Sequence, residues 1–386
     1  MELKTIEFIK EHEENWRELL KDIPYCLTIN ENDNYAIFKY SQTGSDFNEQ
    51  ICKECRGLII DKNILKPVAL SFYKFFNYGE QFADRIYWKD CKVQEKVDGS
   101  KMLVWYDAYE NKWQISTSSQ LNAYEAKVQD FNITFGQLFD KALINNNLTN
   151  NDFYNLLDKK FCYTFELVSP ESRVVIPYKK ADLYFIGVRN IETFEECNTL
   201  DFIDICNKIK TPKQYPLNNL KACLHATECM GYDEEGFVVV DNHFNRVKIK
   251  SPAYVSAHHL KNNSTVNQSR ILNIIENGEQ EEFLTYFPEY KEYFVNIENK
   301  LIEYKNNLKL AIEDINFKME HNDPCLPWTR KDFAKYINQT YPQYSSMLFK
   351  YMNMNLINLF IDNQWSKLSK EDKMKKLGLK YEQEEE

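Results

Sequence analysis

Residues 91–107 read CKVQEKVDGSKMLVWYD, and the turn Glu95-Lys96-Val97-Asp98-Gly99-Ser100 inside them sets a lysine at a strand end beside an acid and a flexible backbone. Apolar and polar residues alternate on both sides, and KWQISTS (112–118) follows, so the stretch predicts a β-hairpin. Glycine is scarce elsewhere: ten in 386 residues. Three of the ten directly follow a charged residue, in Arg56-Gly57, Asp98-Gly99 and Glu235-Gly236. A glycine beside a charge lets the backbone approach a ligand that the charge then holds.

Outward from this hairpin, YAIFKY (35–40), GLIID (57–61) and ILKPVALSF (64–72) read as strands, as do residues 161–168, 183–190, 236–241 and 246–250. Helical spacing is expected over 3–22, 122–144, 199–210 and 216–230. After Pro252 the pattern turns helical almost throughout, broken at HNDPCLPW (321–328) and ending in a frayed KYEQEEE tail. The expected architecture is α+β: a strand-rich domain with antiparallel sheets over 1–252, then an all-helical domain over 253–386.

Lys+Arg number 48 against Asp+Glu 58, a net charge of −10, so the chain is not a polycation built to coat nucleic acid. Any such contact has to be local. The best window is 242–275, where Arg246, Lys248, Lys250, Lys261 and Arg270 meet no carboxylate. Apolar runs such as Leu58–Ile60 and Val238–Val240 are far shorter than the ~18 residues of a membrane span, so no membrane partner is expected. Ten cysteines without a repeating spacing suit free thiols in a reducing cytosol or nucleus, and a cytoplasmic location is expected. Cys52-x-x-Cys55 has no second pair at zinc-finger spacing, and Cys223, His225 and Cys229 do not converge on one helix face.

Around Lys96 the chain offers matching chemistry. CRGLIID (55–61) supplies Arg56, FYKFFNYGE (72–80) supplies Lys74 and Phe76, YTFELVSP (163–170) supplies Glu166, EEGFVVV (234–240) supplies Glu235, and RVKIKS (246–251) supplies Lys248 and Lys250. A lysine that attacks a nucleotide α-phosphate has to lose its proton, and nearby cations favour that loss. Lys248 and Lys250 alternate with Val247 and Ile249, so on a strand both point to one face, where they can hold phosphates. Glu166 and Glu235 stand in apolar strand contexts that call for a hydrated Mg²⁺ or a ribose hydroxyl as partner. These are the parts of a nucleotidyl-transfer site.

In order, the elements RG, KFFN, KxDGS, FExVxP, LYFIGVR (183–189), EGFVV and KIKS resemble the covalent nucleotidyltransferases, and in detail the bacteriophage T4-type RNA ligase 1 family, over residues 35–255. That resemblance implies a nucleotidyltransferase (ATP-grasp-like ligase) domain in which Lys96 becomes AMP-modified by ATP. It implies phosphate contacts from Arg56, Lys74, Lys248 and Lys250, with Tyr40 and Phe76 lining the adenine and ribose region and Gly99 at the cofactor. Glu166 would hold a hydrated Mg²⁺ or Mn²⁺, and Glu235 and Gly236 would sit near the ribose and metal waters. Tyr254 matches an aromatic position of the family, and Glu281, with Glu282 as the alternative register, falls at a second metal contact. The implied reaction joins 5′-phosphate and 3′-hydroxyl ends of single-stranded RNA, typically nicked tRNA. A monomer in the cytoplasm, or the host cytoplasm if viral, would depend on a separate end-healing kinase and phosphatase.

One position departs from the family pattern: where a lysine precedes Gly-Ser, this chain has Thr117-Ser118-Ser119, and Lys101 on the paired strand is the candidate to supply the missing charge. The rival enzymes, an mRNA-capping guanylyltransferase and a DNA ligase, usually append a strand-rich barrel, which residues 253–386 do not suit. A non-catalytic RNA-binding relative would be marked by loss of Lys96 or its partners.

Overall fold

Fourteen strands, numbered in chain order, form three sheets in the computed structural model, which describes residues 3–128, 131–259, 267–320, 329–351 and 357–379. The first sheet is an antiparallel meander of β1 (Thr28–Glu31), β2 (Tyr35–Lys39), β3 (Arg56–Asp61) and β4 (Lys66–Ala69). The second runs β11 (Glu196–Cys197), β10 (Asp182–Asn190), β9 (Phe161–Val168), β7 (Ser100–Asp107), β8 (Lys112–Ser116), again antiparallel. The third runs β12 (Gln214–Tyr215), β6 (Lys92–Glu95), β13 (Gly236–Val240), β14 (Arg246–Lys250), β5 (Phe76–Asn77), with only the β14–β5 pair parallel.

The expected hairpin over 92–118 forms between β7 and β8, but its first strand is split between sheets. Lys92–Glu95 pairs with β13, whereas Ser100–Asp107 pairs with β8 and β9, so Lys96–Gly99 is the crossing between two sheets. Tertiary pairing decides this, because local alternation is the same in either arrangement. Apolar faces join the layers: Tyr35, Ile37, Ile59 and Ala69 of the first sheet pack on Leu103, Trp105 and Cys162 of the second. The far face of the second sheet is covered by helix Phe135–Asn145, whose Leu138, Phe139, Ala142 and Leu143 are fully buried. That helix starts later than the expected 122, because Thr134 and Gln137 form a capping box that satisfies the first free N–H groups. The N-terminal helix is likewise interrupted, as Lys4–Glu11 and Trp16–Lys21, across the polar His12–Asn15 stretch that has nothing to bury.

Two compact units emerge: Met1–Ser264 with Glu281–Tyr286, and Thr265–Gln280 with Phe287–Glu386. The expected break at 252/253 is therefore shifted. Helix Pro252–His259 belongs to the strand-rich unit, since Tyr254 and Val255 are buried in it and Ser251 and Tyr254 bond back into it. The second unit is helical. Its 30-residue helix Lys291–Glu320 buries Leu308, Ile312 and Ile315 and packs against Gln268–Glu276 and Ile357–Ser366. The expected break at 321–328, the tail from Lys380, Cys325 and Lys261 lie outside the described residues.

Candidate active site

Three segments meet at Lys96. Its backbone N–H donates to the Gly236 carbonyl (2.9 Å), continuing the β6–β13 ladder by one residue past Glu95. Gly236 has φ +128°, and a Cβ there would lie 2.2 Å from the Ile249 carbonyl oxygen, so no other residue allows this approach of β13 to β14. The preceding Glu235, 4% exposed, is thereby aimed at Lys96: Oε1 lies 2.5 Å from Nζ.

Beside this pair opens a pocket of about 260 Å³. Lys96, Gly99, Arg56, Lys101, Lys248 and Glu166 supply its polar wall, and Phe72, Phe75, Ile186, Pro212 and Val238 its apolar wall. Strand registers explain the polar wall. Lys101 and Glu166 are direct cross-strand partners on β7 and β9, and Lys248 stands opposite Val238 on β14 and β13. Cations and rings alternate along one side: Arg246 lies over Phe72 (4.5 Å), Arg56 over Phe75 (4.8 Å), and Lys248 over Phe75 (5.1 Å).

The electrostatics are those of a site built for an anion. Burial pushes Lys248 well below the usual lysine range, and Lys74, Arg56, Lys250 and Lys96 add to the shift. Burial also lowers Lys101, with Arg56 adding and Glu166 opposing. Glu166 is pushed up to about 7, chiefly by burial, against the opposing pull of Lys96. Beside the pocket, Arg56 Nη1 and Glu235 Oε2 are among the buried polar atoms without a hydrogen-bond partner in the described residues. One is a donor and one an acceptor, which suits a phosphate and a cation or hydroxyl respectively.

The other expected site residues are placed differently. Lys74 is buried, bonded to Gln42 Oε1 (3.0 Å), and caged by Tyr40 (4.8 Å), Phe47 (5.2 Å) and Phe76 (5.1 Å). Tyr40 and Phe76 thus face this ammonium, and the aromatic wall of the pocket is Phe72 and Phe75. The reason is the parallel pairing of Phe76 with Val247, which turns Phe76 into the Phe47–Cys52 cluster. Against the upward push of burial, Arg56 and Lys74 hold the Tyr40 phenol below its usual value.

Lys250 points along the β14 face to the carboxylates, 3.7 Å from Glu235 Oε1 and 2.6 Å from Glu282 Oε1. The two candidate acids are placed differently. Glu282 is buried and also accepts from Asn77 Nδ2 (3.2 Å), whereas Glu281 is exposed and accepts from the Gln81 N–H (3.2 Å). Tyr286 and Thr285 complete that segment: the Lys250 N–H donates to the Tyr286 hydroxyl (2.8 Å), and Thr285 packs against Gly79. Tyr254 donates to Asp98 Oδ1 (2.9 Å), while Asp98 Oδ2 accepts from the Val175 and Ile176 N–H groups (3.0 and 2.8 Å). Asp98 therefore ties the Lys96 turn to its surroundings rather than facing the pocket.

Sequence reading missed Phe72 and Phe75, and named Arg246 only within the cationic window 242–275. Arg246 was legible, because it shares the alternating face of Lys248 and Lys250. Its guanidinium is clamped by Glu196, which also binds Arg189 (3.2 Å).

Among the described residues no three His, Cys, Asp or Glu side chains converge as a metal cage. Glu166 and the orphaned oxygen of Glu235 fit the alternative, a hydrated divalent cation held by one or two carboxylates together with substrate phosphates.

The RNA ligase family model of the T4 type 1 group matches residues 54–254, about half of the chain, and the chain belongs to that family. A protein of Autographa californica nuclear polyhedrosis virus described as a bifunctional polynucleotide kinase/RNA ligase is 31% identical over 274 residues, covering 66% of this chain and 38% of that protein. The chain thus spans well under half the length of this relative. An RNA ligase of Rhodothermus phage RM378 is 25% identical over 351 residues, covering 74% of this chain and 77% of that one. A solved Naegleria gruberi RNA ligase with PPi aligns with TM-score 0.33 at 16% identity, over 44% of this chain and 51% of that one.

Proposed function

We infer that the protein is an ATP-dependent RNA ligase that works through a lysyl-AMP intermediate on Lys96. The observation that carries this reading is the Lys96–Glu235 pair set beside a pocket of clustered cations with an unpartnered guanidinium nitrogen. In the first step Lys96 Nζ, having passed a proton to Glu235, attacks the α-phosphorus of ATP. An N–P bond forms, and the bond to the β-phosphate oxygen breaks as pyrophosphate leaves. Arg56 and Lys248, with Lys74 and Lys250 behind them, balance the charge that develops on the phosphate oxygens. Phe72 and Phe75, with Ile186 and Val238, offer the nucleoside an apolar wall.

An RNA 5′-phosphate oxygen then attacks the same phosphorus, releasing Lys96. Finally a 3′-hydroxyl attacks the activated 5′-phosphorus, and AMP departs. Glu166 and Glu235 would hold a hydrated Mg²⁺ or Mn²⁺, which would supply charge neutralisation at the reacting phosphate. Substrates of this kind are single-stranded RNA breaks such as nicked tRNA. The relative that couples a kinase to a ligase supports the view that a separate kinase and phosphatase heal the ends first. The helical residues 265–280 and 287–386 are assigned to RNA selection, and the protein to a monomer in the cytoplasm.

The test is incubation with α-³²P-labelled ATP and Mg²⁺, followed by a chase with 5′-phosphorylated RNA or DNA. Label that requires Lys96, prefers ATP to GTP and passes to RNA is expected. Wild-type protein stripped of bound AMP that takes up no label would sink the reading and favour a non-catalytic RNA-binding relative.

A further inference from the structure

Lys101 lies in the pocket wall, and the chemistry above leaves it without a task. Its ammonium donates to the Arg56 carbonyl oxygen and to Ser71 Oγ (3.1 Å). These acceptors belong to different segments: Arg56 opens β3, and Ser71 immediately precedes the stretch that carries Phe72, Lys74 and Phe75. A single side chain on the second sheet thus holds both segments. The approach needs Gly57, which has φ +80° and where a Cβ would lie 3.3 Å from Lys101 Nζ and 3.2 Å from the Ser118 carbonyl oxygen.

Both acceptors are neutral, so they repay little of the free energy needed to desolvate an ammonium. An apolar side chain of the same length would avoid that cost. What the arrangement does secure is the backbone of Arg56, whose guanidinium packs on Phe75 (4.8 Å) with Nη1 buried and unpartnered among the described residues.

We propose that Lys101 is a positioning residue: it anchors the Arg56 main chain so that the free guanidinium nitrogen meets a phosphate of the nucleotide. This rests on the reading of the pocket as an ATP site. Because Lys101 acts through Arg56, its removal should matter only while Arg56 is present, which a double-mutant cycle can show.

The experiment measures ATP dissociation constants by calorimetry with Mg²⁺ in the full chain, in a Lys96→Ala background that cannot turn over. Lys101→Met, Arg56→Ala and the double substitution are compared. Lys101→Met is expected to weaken ATP about tenfold alone and less than about twofold on top of Arg56→Ala. An unchanged affinity, or an undiminished loss in the Arg56→Ala background, would overturn the proposal. Should Lys101→Met fail to fold, Ser71→Ala removes one anchor and is expected to weaken ATP about threefold, again only with Arg56 present; no change there overturns it equally. The labelling assay on wild-type protein tests the ligase reading separately. Label with no cycle coupling sinks Lys101 alone, coupling without label sinks the ligase reading alone, and no ATP binding in the background sinks both.

Discussion

Lys74, Asp98, Glu235, Arg246 and Glu282 are all buried in the strand-rich unit; Arg246 lines the pocket, and Glu235 and Glu282 both pair with Lys250. In the helical unit the buried side chains are Leu308, Ile312, Phe333, Ile337, Leu348 and their like, and Ser269 is the one buried small polar or charged residue among those described. Its ion pair Lys305–Asp362 keeps more contact with solvent. Burying a charge costs free energy that a domain needing only stability avoids. Where charges are buried together around a cavity, a ligand is the economical explanation, and the contrast locates the chemistry in one unit.

The contrast is broken most severely at the proposed nucleophile. Lys96→Ala is expected to abolish labelling by ATP, a loss of at least roughly 10⁴-fold, while the melting temperature changes little. Glu166→Gln should slow labelling on the order of 10²-fold, and it carries a pH signature. Burial raises the Glu166 carboxyl from 4.5 to about 7, so the folded state resists its ionisation. The associated stability is complete below pH 4.5 and is lost as pH rises through 7, amounting to about 3 kcal/mol. Unfolding of wild type and Glu166→Gln should therefore diverge over that window, the variant gaining relative stability; parallel curves would remove the burial argument.

Glu282→Ala strips Lys250 of its nearest carboxylate and should cost about 3 kcal/mol in denaturant unfolding, with labelling down about tenfold, whereas Glu281→Ala should stay within about 0.5 kcal/mol of wild type. Equal effects would reopen the register. Phe75→Leu removes the ring under Arg56 and Lys248 and should weaken ATP about fivefold by calorimetry. The smallest effect on chemistry comes from the helical unit: Leu308→Ala should cost about 3 kcal/mol of stability yet leave the labelling rate per folded molecule within about twofold. A large loss of labelling would show that the chemistry draws on the helical core.

Much of this protein is written in short stretches. The strands carrying Arg56, Glu166 and Lys248, the Glu235-Gly236 step and the turn carrying Lys96 were legible because two-residue alternation and a glycine after a charge are local signals. The helical character of the C-terminal region followed from its spacing alone. Facing was harder to read. Phe75 rather than Phe76 reaches the pocket because β5 is only Phe76–Asn77 long and takes its orientation from a parallel partner some 170 residues later in the chain. Glu282 rather than Glu281 meets Lys250 because one residue along a helix turns a side chain by about 100°. The split of the 91–107 stretch between two sheets, the place of helix Pro252–His259 in the strand-rich unit, and the hold of Lys101 on Arg56 and Ser71 all depend on pairings remote in sequence. Residue types and their local periodicity thus specify which chemistry is present, while packing between distant segments selects which of two adjacent side chains performs it.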